Sequence, residues 1–193
     1  MIIGITGGTG CGKTTLLEEL DKLGAMVLDC DAIYHHLLQT APSLLDAIKT
    51  RFPGTVENGI LQRKKLGSLV FFDEKALQDL NRITHAAIYG EVLRRLESKP
   101  ALAAIDAIAL FESGLAELCD VTVAVTAPEE VRIRRIMARD GISADYARSR
   151  IAAQKSDDWF RTNCDFVLEN HGEKDAFQTK CLAFFTELGI MKV

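Results

Sequence analysis

Gly7-Gly8-Thr9-Gly10-Cys11-Gly12-Lys13-Thr14 follows a short run rich in β-branched residues, Ile2-Ile3-Gly4-Ile5-Thr6. The octet has the pattern G-x-x-x-x-G-K-[ST] of the phosphate-binding P-loop. Behind it Leu16, Leu17, Leu20 and Leu23 recur at helical spacing, which predicts a helix over residues 15–23. Strand, glycine loop and helix, in that order, is the context the motif requires. Glycines tolerate φ > 0 and carry no Cβ to obstruct an anion. The loop amides and the helix N-terminus then face the phosphates. This reading assigns phosphate binding to Gly8, Thr9, Gly10, Cys11, Gly12, Lys13, Thr14 and Thr15. Lys13 is expected to reach the β- and γ-phosphates of ATP, and the Thr14 hydroxyl to hold Mg²⁺. A dinucleotide-binding loop fits poorly, because the G-x-G-x-x-G spacing is missing and Lys13-Thr14 has no role in it.

Composition narrows the class further. A chain of 193 residues suits one α/β domain with an insertion. The apolar fraction of 48% and charged fraction of 26% are those of an ordinary globular protein. A net charge of −4 argues against bulk binding of nucleic acid. No apolar stretch of roughly 18 residues occurs, so no membrane span is expected, and no signal peptide is read at the N-terminus. The five cysteines are scattered without C-x-x-C spacing, which points to a reducing, cytoplasmic setting. Cys11 lies in the glycine loop and reads chiefly as a small filler residue there; the lesser reading is a thiol whose pKa is lowered by Lys13 and local amides. The four histidines make no metal-ligand spacing with the cysteines.

Residues 25–28 predict a second strand that ends at Asp29-Cys30-Asp31, before a helix over 32–39. Carboxylates at a strand's carboxyl end stand where α/β folds collect ligands. In a P-loop kinase an acid there orients or deprotonates the acceptor hydroxyl and helps to fix Mg²⁺ through water. Asp31 is the candidate base and Asp29 its helper on the metal side. Capping of the next helix is the competing reading for both. Residues 41–100 read as a mainly helical insertion, with turns at Pro53-Gly54 and Asn58-Gly59. Arg63 in the cluster Arg63-Lys64-Lys65 is a candidate contact to a phosphorylated acceptor, while Lys64 and Lys65 are assigned to a solvated face. Asp73 is expected to cap a helix over 74–83, with a separate helix after His85 through residue 96. His85 reads as a core or cap residue, or as a residue lining the acceptor pocket.

Residues 101–105 and 121–125 predict buried strands of a parallel sheet. Asp106 near the end of the first is a weaker candidate for a magnesium-side carboxylate, and Glu112 is assigned to the acceptor cleft. Pro128-Glu129-Glu130 opens a helix carrying Arg132, Arg134, Arg135 and Arg139. Ser143 caps the next, which carries Arg148 and Arg150. Together they predict a helical lid over about 129–160, whose closure brings guanidinium groups onto the transferring phosphoryl group and excludes water. Arg135, Arg139 and Arg150 are singled out for that role, and Arg132, Arg134 and Arg148 are assigned to a solvated face. Residues 164–170 predict the last strand, with Asn170-His171-Gly172 near the nucleotide base. A helix over 175–188 should cover the sheet through Phe177, Cys181, Phe184 and Phe185. This alternation predicts a three-layer α/β fold with a mostly parallel sheet. Its core spans 1–40 and 101–193, with the acceptor-side insertion at 41–100.

With these landmarks in place, the sequence resembles the dephospho-CoA kinase family over nearly its whole length. The similarity rests on Ile5 through Thr14, on Asp29-Cys30-Asp31, and on Gly59 to Arg63 followed by Leu66-Gly67-Ser68-Leu69-Val70-Phe71. It continues through Leu80-Asn81-Arg82-Ile83-Thr84-His85 and Leu110-Phe111-Glu112-Ser113-Gly114-Leu115. Arg135, Arg139-Asp140, Arg150-Ile151-Ala152-Ala153-Gln154 and residues 165–170 complete it. The P-loop is shared by many families, whereas this order and spacing are specific. The resemblance implies transfer of the ATP γ-phosphoryl group to the 3′-hydroxyl of dephospho-CoA, with Mg²⁺, and with no obligate protein partner. It implies Asp31 as base, and Lys13 and Arg139 as the charge clamp. Arg135 and Asn170 fall on the nucleotide side, and Asp31, Arg63, His85, Leu110, Glu112 and Arg150 on the acceptor side. The sequence departs from the family's pattern at Ala86 and Ile108, where prolines are usual, at Arg132, where glutamine is usual, at Phe160, where lysine is usual, and at Cys164, where alanine is usual. A P-loop kinase for another hydroxylated metabolite is the alternative, and a regulatory nucleotide-binding protein a more distant one. No Asn-Lys-x-Asp guanine motif occurs.

Overall fold

Residues 1–191, described by a computed structural model, form alternating strands and helices. In chain order these are β1 (Ile2–Thr6), α1 (Lys13–Lys22), β2 (Met26–Asp29), α2 (Cys30–Thr40) and α3 (Pro42–Arg51). A hairpin of β3 (Val56–Glu57) and β4 (Ile60–Leu61) follows, then α4 (Arg63–Val70) and α5 (Glu74–Leu96). The chain continues with β5 (Ala103–Asp106), a 3-10 turn at Leu115–Leu118, β6 (Val121–Thr126), α6 (Glu129–Asp140) and α7 (Ala144–Ala152). It closes with α8 (Asp157–Asn163), β7 (Phe166–Glu169) and α9 (Lys174–Glu187). The last two positions of the expected 101–193 span lie outside the described residues.

The first of two compact units comprises Met1–Val27, Pro100–Leu110 and the chain from Ala116 onward. Its sheet has the order β2-β5-β1-β6-β7, and the β1–β5, β1–β6 and β6–β7 ladders are all parallel. β1 therefore lies at the centre, where the strand order reverses. Ligands of such sheets collect beyond the carboxyl end of a strand at that switch point. The central strands are buried because they are covered on both faces. Ile3, Ile5, Ala104, Val123 and Val125 pack with Leu16 and Leu20 of α1 and with Phe177, Cys181, Phe184 and Phe185 of α9. The four α9 residues are those expected from its sequence. Asp165 staples the sheet edge, its carboxylate accepting from the Thr122 amide and hydroxyl at 2.7 Å each.

The second unit comprises Leu28–Lys99 and Phe111–Leu115. It begins earlier than the expected boundary at 41, because α2 packs on α3 and α5. Ile33, Leu37, Leu44, Ile48, Leu66 and Val92 are buried there. Asn58 (φ 51°) and Gly59 (φ 74°) take the two left-handed positions that join β3 to β4, as a two-residue hairpin requires. Asp73 caps α5, its carboxylate accepting from the Ala76 amide at 2.9 Å. α5 is one helix of 23 residues, not two flanking His85. Thr84-His85-Ala86 contains neither glycine nor proline, so nothing interrupts the hydrogen-bond ladder. α8 was not expected, although Ser156 caps it and Asp157 and Asp158 fill its first turn.

Candidate active site

In the first unit, β1 turns sharply at Gly7, whose φ of 131° and close neighbour demand glycine. A Cβ there would lie 2.2 Å from the Val125 carbonyl oxygen. The loop enters α1 through Gly12 at φ 95°, and no side chain caps the helix. No acid occupies its first turn either. The first amides of α1 and its positive dipole end are thus left for an anion. Lys13 folds back so that Nζ donates to the Gly7 carbonyl at 3.0 Å. Thr14 is exposed in the first helical turn, and Thr15 is half-buried beside it.

The carbonyls of this loop are held by cationic side chains. Arg135 Nη1 donates to Gly10 O at 3.1 Å and to Cys11 O at 3.2 Å. Its Nη2 donates to Asn170 Oδ1 at 3.1 Å, and Asn170 Nδ2 donates to Cys11 O at 2.9 Å. Asn170 is only 2% exposed, so it is a support beneath the loop, not an open loop residue. Arg132 corrects the assignment to a solvated face. It is 5% exposed, and its Nε donates to Thr9 O at 3.0 Å. Arg132, Arg135 and Arg139 stand at i, i+3 and i+7 on α6, one helical face, and that spacing was the overlooked signal. Arg134 and Arg148 are exposed as expected, Arg148 pairing with exposed Asp145.

Arg139 meets the loop at its edge, Nη2 donating to Thr9 Oγ1 at 3.3 Å. Asp140 fixes its plane by accepting from Nε at 2.6 Å and Nη2 at 3.0 Å. Arg150 Nη1 donates to the same carboxylate at 2.5 Å. The Arg139 hydrogen bond, and then that of Arg150, hold the Asp140 pKa down to about 2. Arg139 and Arg150 are therefore gathered by one anion. Cys11 follows the filler reading, not the activated one. Burial raises its thiol pKa, and the charges of Arg132 and Lys13 only partly oppose this. The thiol is 1% exposed and acts as filler.

In the second unit, Asp29 ends β2 and caps α2. Its Oδ1 accepts from the amides of Asp31 at 2.9 Å and Ala32 at 3.0 Å. Asp31 is exposed in the first turn, where a carboxylate also suits the helix dipole. A cavity of about 550 Å³ is lined by Asn81, Arg82, His85, Tyr89 and Glu112, among others. It brings together His85 and Glu112, which are far apart in sequence. Arg63 lines a different cavity, of about 380 Å³, with His35, Gln39 and Leu61. Leu110, in the first unit, is fully buried, and its Cδ2 would lie 2.9 Å from a Cβ on Gly4. Its side chain is a core group. Among the described residues, no group of three or more His, Cys, Asp and Glu side chains converges as a metal cage. The exposed Thr14 hydroxyl and a carboxylate are the hard oxygen donors that suit Mg²⁺, which usually takes its other ligands from phosphate and water.

A profile of the dephospho-CoA kinase family matches residues 1–176. A dephospho-CoA kinase of Corynebacterium diphtheriae is 36% identical over 183 residues, covering 92% of each chain. The crystal structure of a Thermus thermophilus protein superposes with a TM-score of 0.82 at 34% identity, over 97% of each chain. A dephospho-CoA kinase from Campylobacter jejuni gives a TM-score of 0.69 at 26% identity, over 98% of each chain.

Proposed function

The chain belongs to the dephospho-CoA kinase family, and on that premise we propose how its residues move the γ-phosphoryl group of ATP to the ribose 3′-hydroxyl of dephospho-CoA. Phosphoryl transfer asks the protein mainly for positioning and charge neutralisation. On the nucleotide side, Gly8 to Thr15 receive the phosphates through the uncapped amides of the loop and α1. Lys13 leaves the Gly7 carbonyl for the β- and γ-phosphates. Arg139 neutralises charge on the transferring group, and Asp140 keeps its guanidinium in one plane. Arg135 and Asn170 keep the loop in its receiving shape. On the acceptor side, Asp31 orients the hydroxyl and takes its proton as the oxygen attacks phosphorus. His85 and Glu112 line the acceptor pocket, Arg63 offers a charge to the acceptor's phosphates, and Arg150 and Leu110 complete the set, Leu110 by supporting the chain from the core.

Mg²⁺ would be held by the Thr14 hydroxyl and, through water, by Asp29, whose Oδ1 is already engaged by the α2 amides. When bound, it neutralises charge on the phosphate oxygens. We read the protein as cytoplasmic and as working without an obligate protein partner or nucleic acid. No helix among the described residues is long and apolar enough to cross a membrane.

The observation that carries this reading is the uncapped N-terminus of α1 behind a loop whose carbonyls are bound by arginine. The test mixes purified protein with Mg·ATP and a panel of hydroxylated acceptors and follows ADP release. Dephospho-CoA is expected to accelerate release above background hydrolysis, and the other acceptors much less. No acceleration by dephospho-CoA would contradict the proposal.

A further inference from the structure

Arg132 makes two hydrogen bonds that close a ring around one residue of the glycine loop, Thr9. Its Nε donates to Thr9 O at 3.0 Å, and its Nη2 donates to Gln154 Oε1 at 2.8 Å. The same Gln154 oxygen accepts from the Thr9 amide at 2.9 Å. Both backbone polar groups of Thr9 are thus engaged by side chains that are also bonded to each other. Arg132 comes from α6, and Gln154 follows α7. The clamp lies flush on the loop: a Cβ on Gly8 would fall 2.2 Å from Arg132 Nη2 and 2.9 Å from Gln154 Oε1.

We propose that Arg132 and Gln154 are positioning residues that hold the two peptides flanking Thr9, and through them the phosphate-receiving loop, in its ATP-binding shape before ATP arrives. With the N–H of one peptide and the C=O of the next both bonded, neither plane flanking Thr9 can rotate freely. The loop between Thr9 and Lys13 therefore starts from a fixed end and loses less freedom when phosphate binds. Lysine in place of Arg132 keeps the charge but lacks the planar fork that serves two acceptors at fixed angles. The guanidinium also leaves a positive charge against the loop, and the Cys11 thiol registers it as a lowering influence. Neither residue needs to touch the nucleotide.

The inference rests on the reading of residues 7–14 as an ATP site, so the test measures ATP binding directly, with no acceptor present. Titration of the full chain gives the ATP Kd for wild type, Arg132→Lys, Gln154→Leu, Gln154→Glu and the double variant Arg132→Lys/Gln154→Leu, each checked by circular dichroism. Hydrogen bonds to charged groups are strong enough that each of the first two variants is expected to weaken ATP binding by about tenfold. The double variant should lose little more, because both changes break one ring. Gln154→Glu keeps the shared acceptor and should stay within about twofold of wild type. Folded variants with wild-type Kd would overturn the clamp, as would fully multiplying effects in the double variant. A purely structural role would lower melting temperature while leaving the Kd of folded protein unchanged, and that outcome also overturns it. A wild-type chain that fails to bind ATP would reject the underlying site itself.

Discussion

Thr9, Gly10 and Cys11 each present a carbonyl to a guanidinium, from Arg132 or Arg135, whereas Asp31 and Arg63, proposed for the acceptor side, stand exposed. The phosphate loop is braced from within its own unit by buried or half-buried cations and Asn170. The helical unit offers two separate cavities, with His85 and Glu112 in one and Arg63 in the other. The contrast follows from chemistry. A triphosphate presents the same compact charge each time, so its receptor is built from fixed backbone and arginine. Damage on the braced side should then appear mainly as lost ATP affinity, and damage on the exposed side mainly as lost turnover.

The sharpest break in that contrast is Asp31→Asn. Removing a general base typically costs roughly 10²–10⁴-fold in rate. Turnover with dephospho-CoA should fall by that order, while the ATP Kd measured by titration changes less than about twofold. Unchanged turnover would move the base elsewhere. Arg139→Ala comes next, because Arg139 reaches the loop through a hydrogen bond to Thr9 Oγ1 and its own plane is set by Asp140. Loss of one charge-stabilising donor predicts a fall of roughly 10²-fold in single-turnover phosphoryl transfer, with circular dichroism unchanged. A normal rate would exclude Arg139 from the clamp.

The smallest expected effect lies on α5, in the helical unit. Glu91 accepts from Arg94 and Arg95, chiefly Arg94, and its pKa falls from 4.5 to about 2. A carboxylate with a lowered folded-state pKa stabilises the fold above its ordinary pKa, and that contribution is lost as pH falls toward 2. Glu91→Gln should therefore destabilise the protein by up to about 1 kcal/mol at neutral pH, the scale of partly exposed helix pairs. Denaturant melts should show the difference from wild type shrinking from about pH 4.5 downward. A difference independent of pH would mean that the pairing is not its source.

Much of this was legible from local sequence. The β1–loop–α1 segment, the Asp73 and Ser143 caps and the core face of α9 all depend on neighbours within a turn or two. What escaped reading depends on distant partners. The spacing of Arg132 with Arg135 and Arg139 marks a shared helical face, but its partners Thr9 and Gln154 lie too far away in sequence to be read from it. Cys11 fits the filler reading, because burial outweighs the nearby Lys13 charge. Asp29 was weighed between metal and cap, and its oxygen took the cap. α5 was split at His85 on the expectation of a break that Ala86 does not provide.

The most direct test of the account is the product itself. Wild-type protein, Mg·ATP and dephospho-CoA would be run to partial conversion, with ADP counted and the phosphorylated acceptor located by phosphorus and proton NMR. The account predicts one acceptor phosphorylated per ADP released, with the new phosphate on the ribose 3′ oxygen. ADP release without a phosphorylated acceptor, or phosphate on another oxygen, would contradict it.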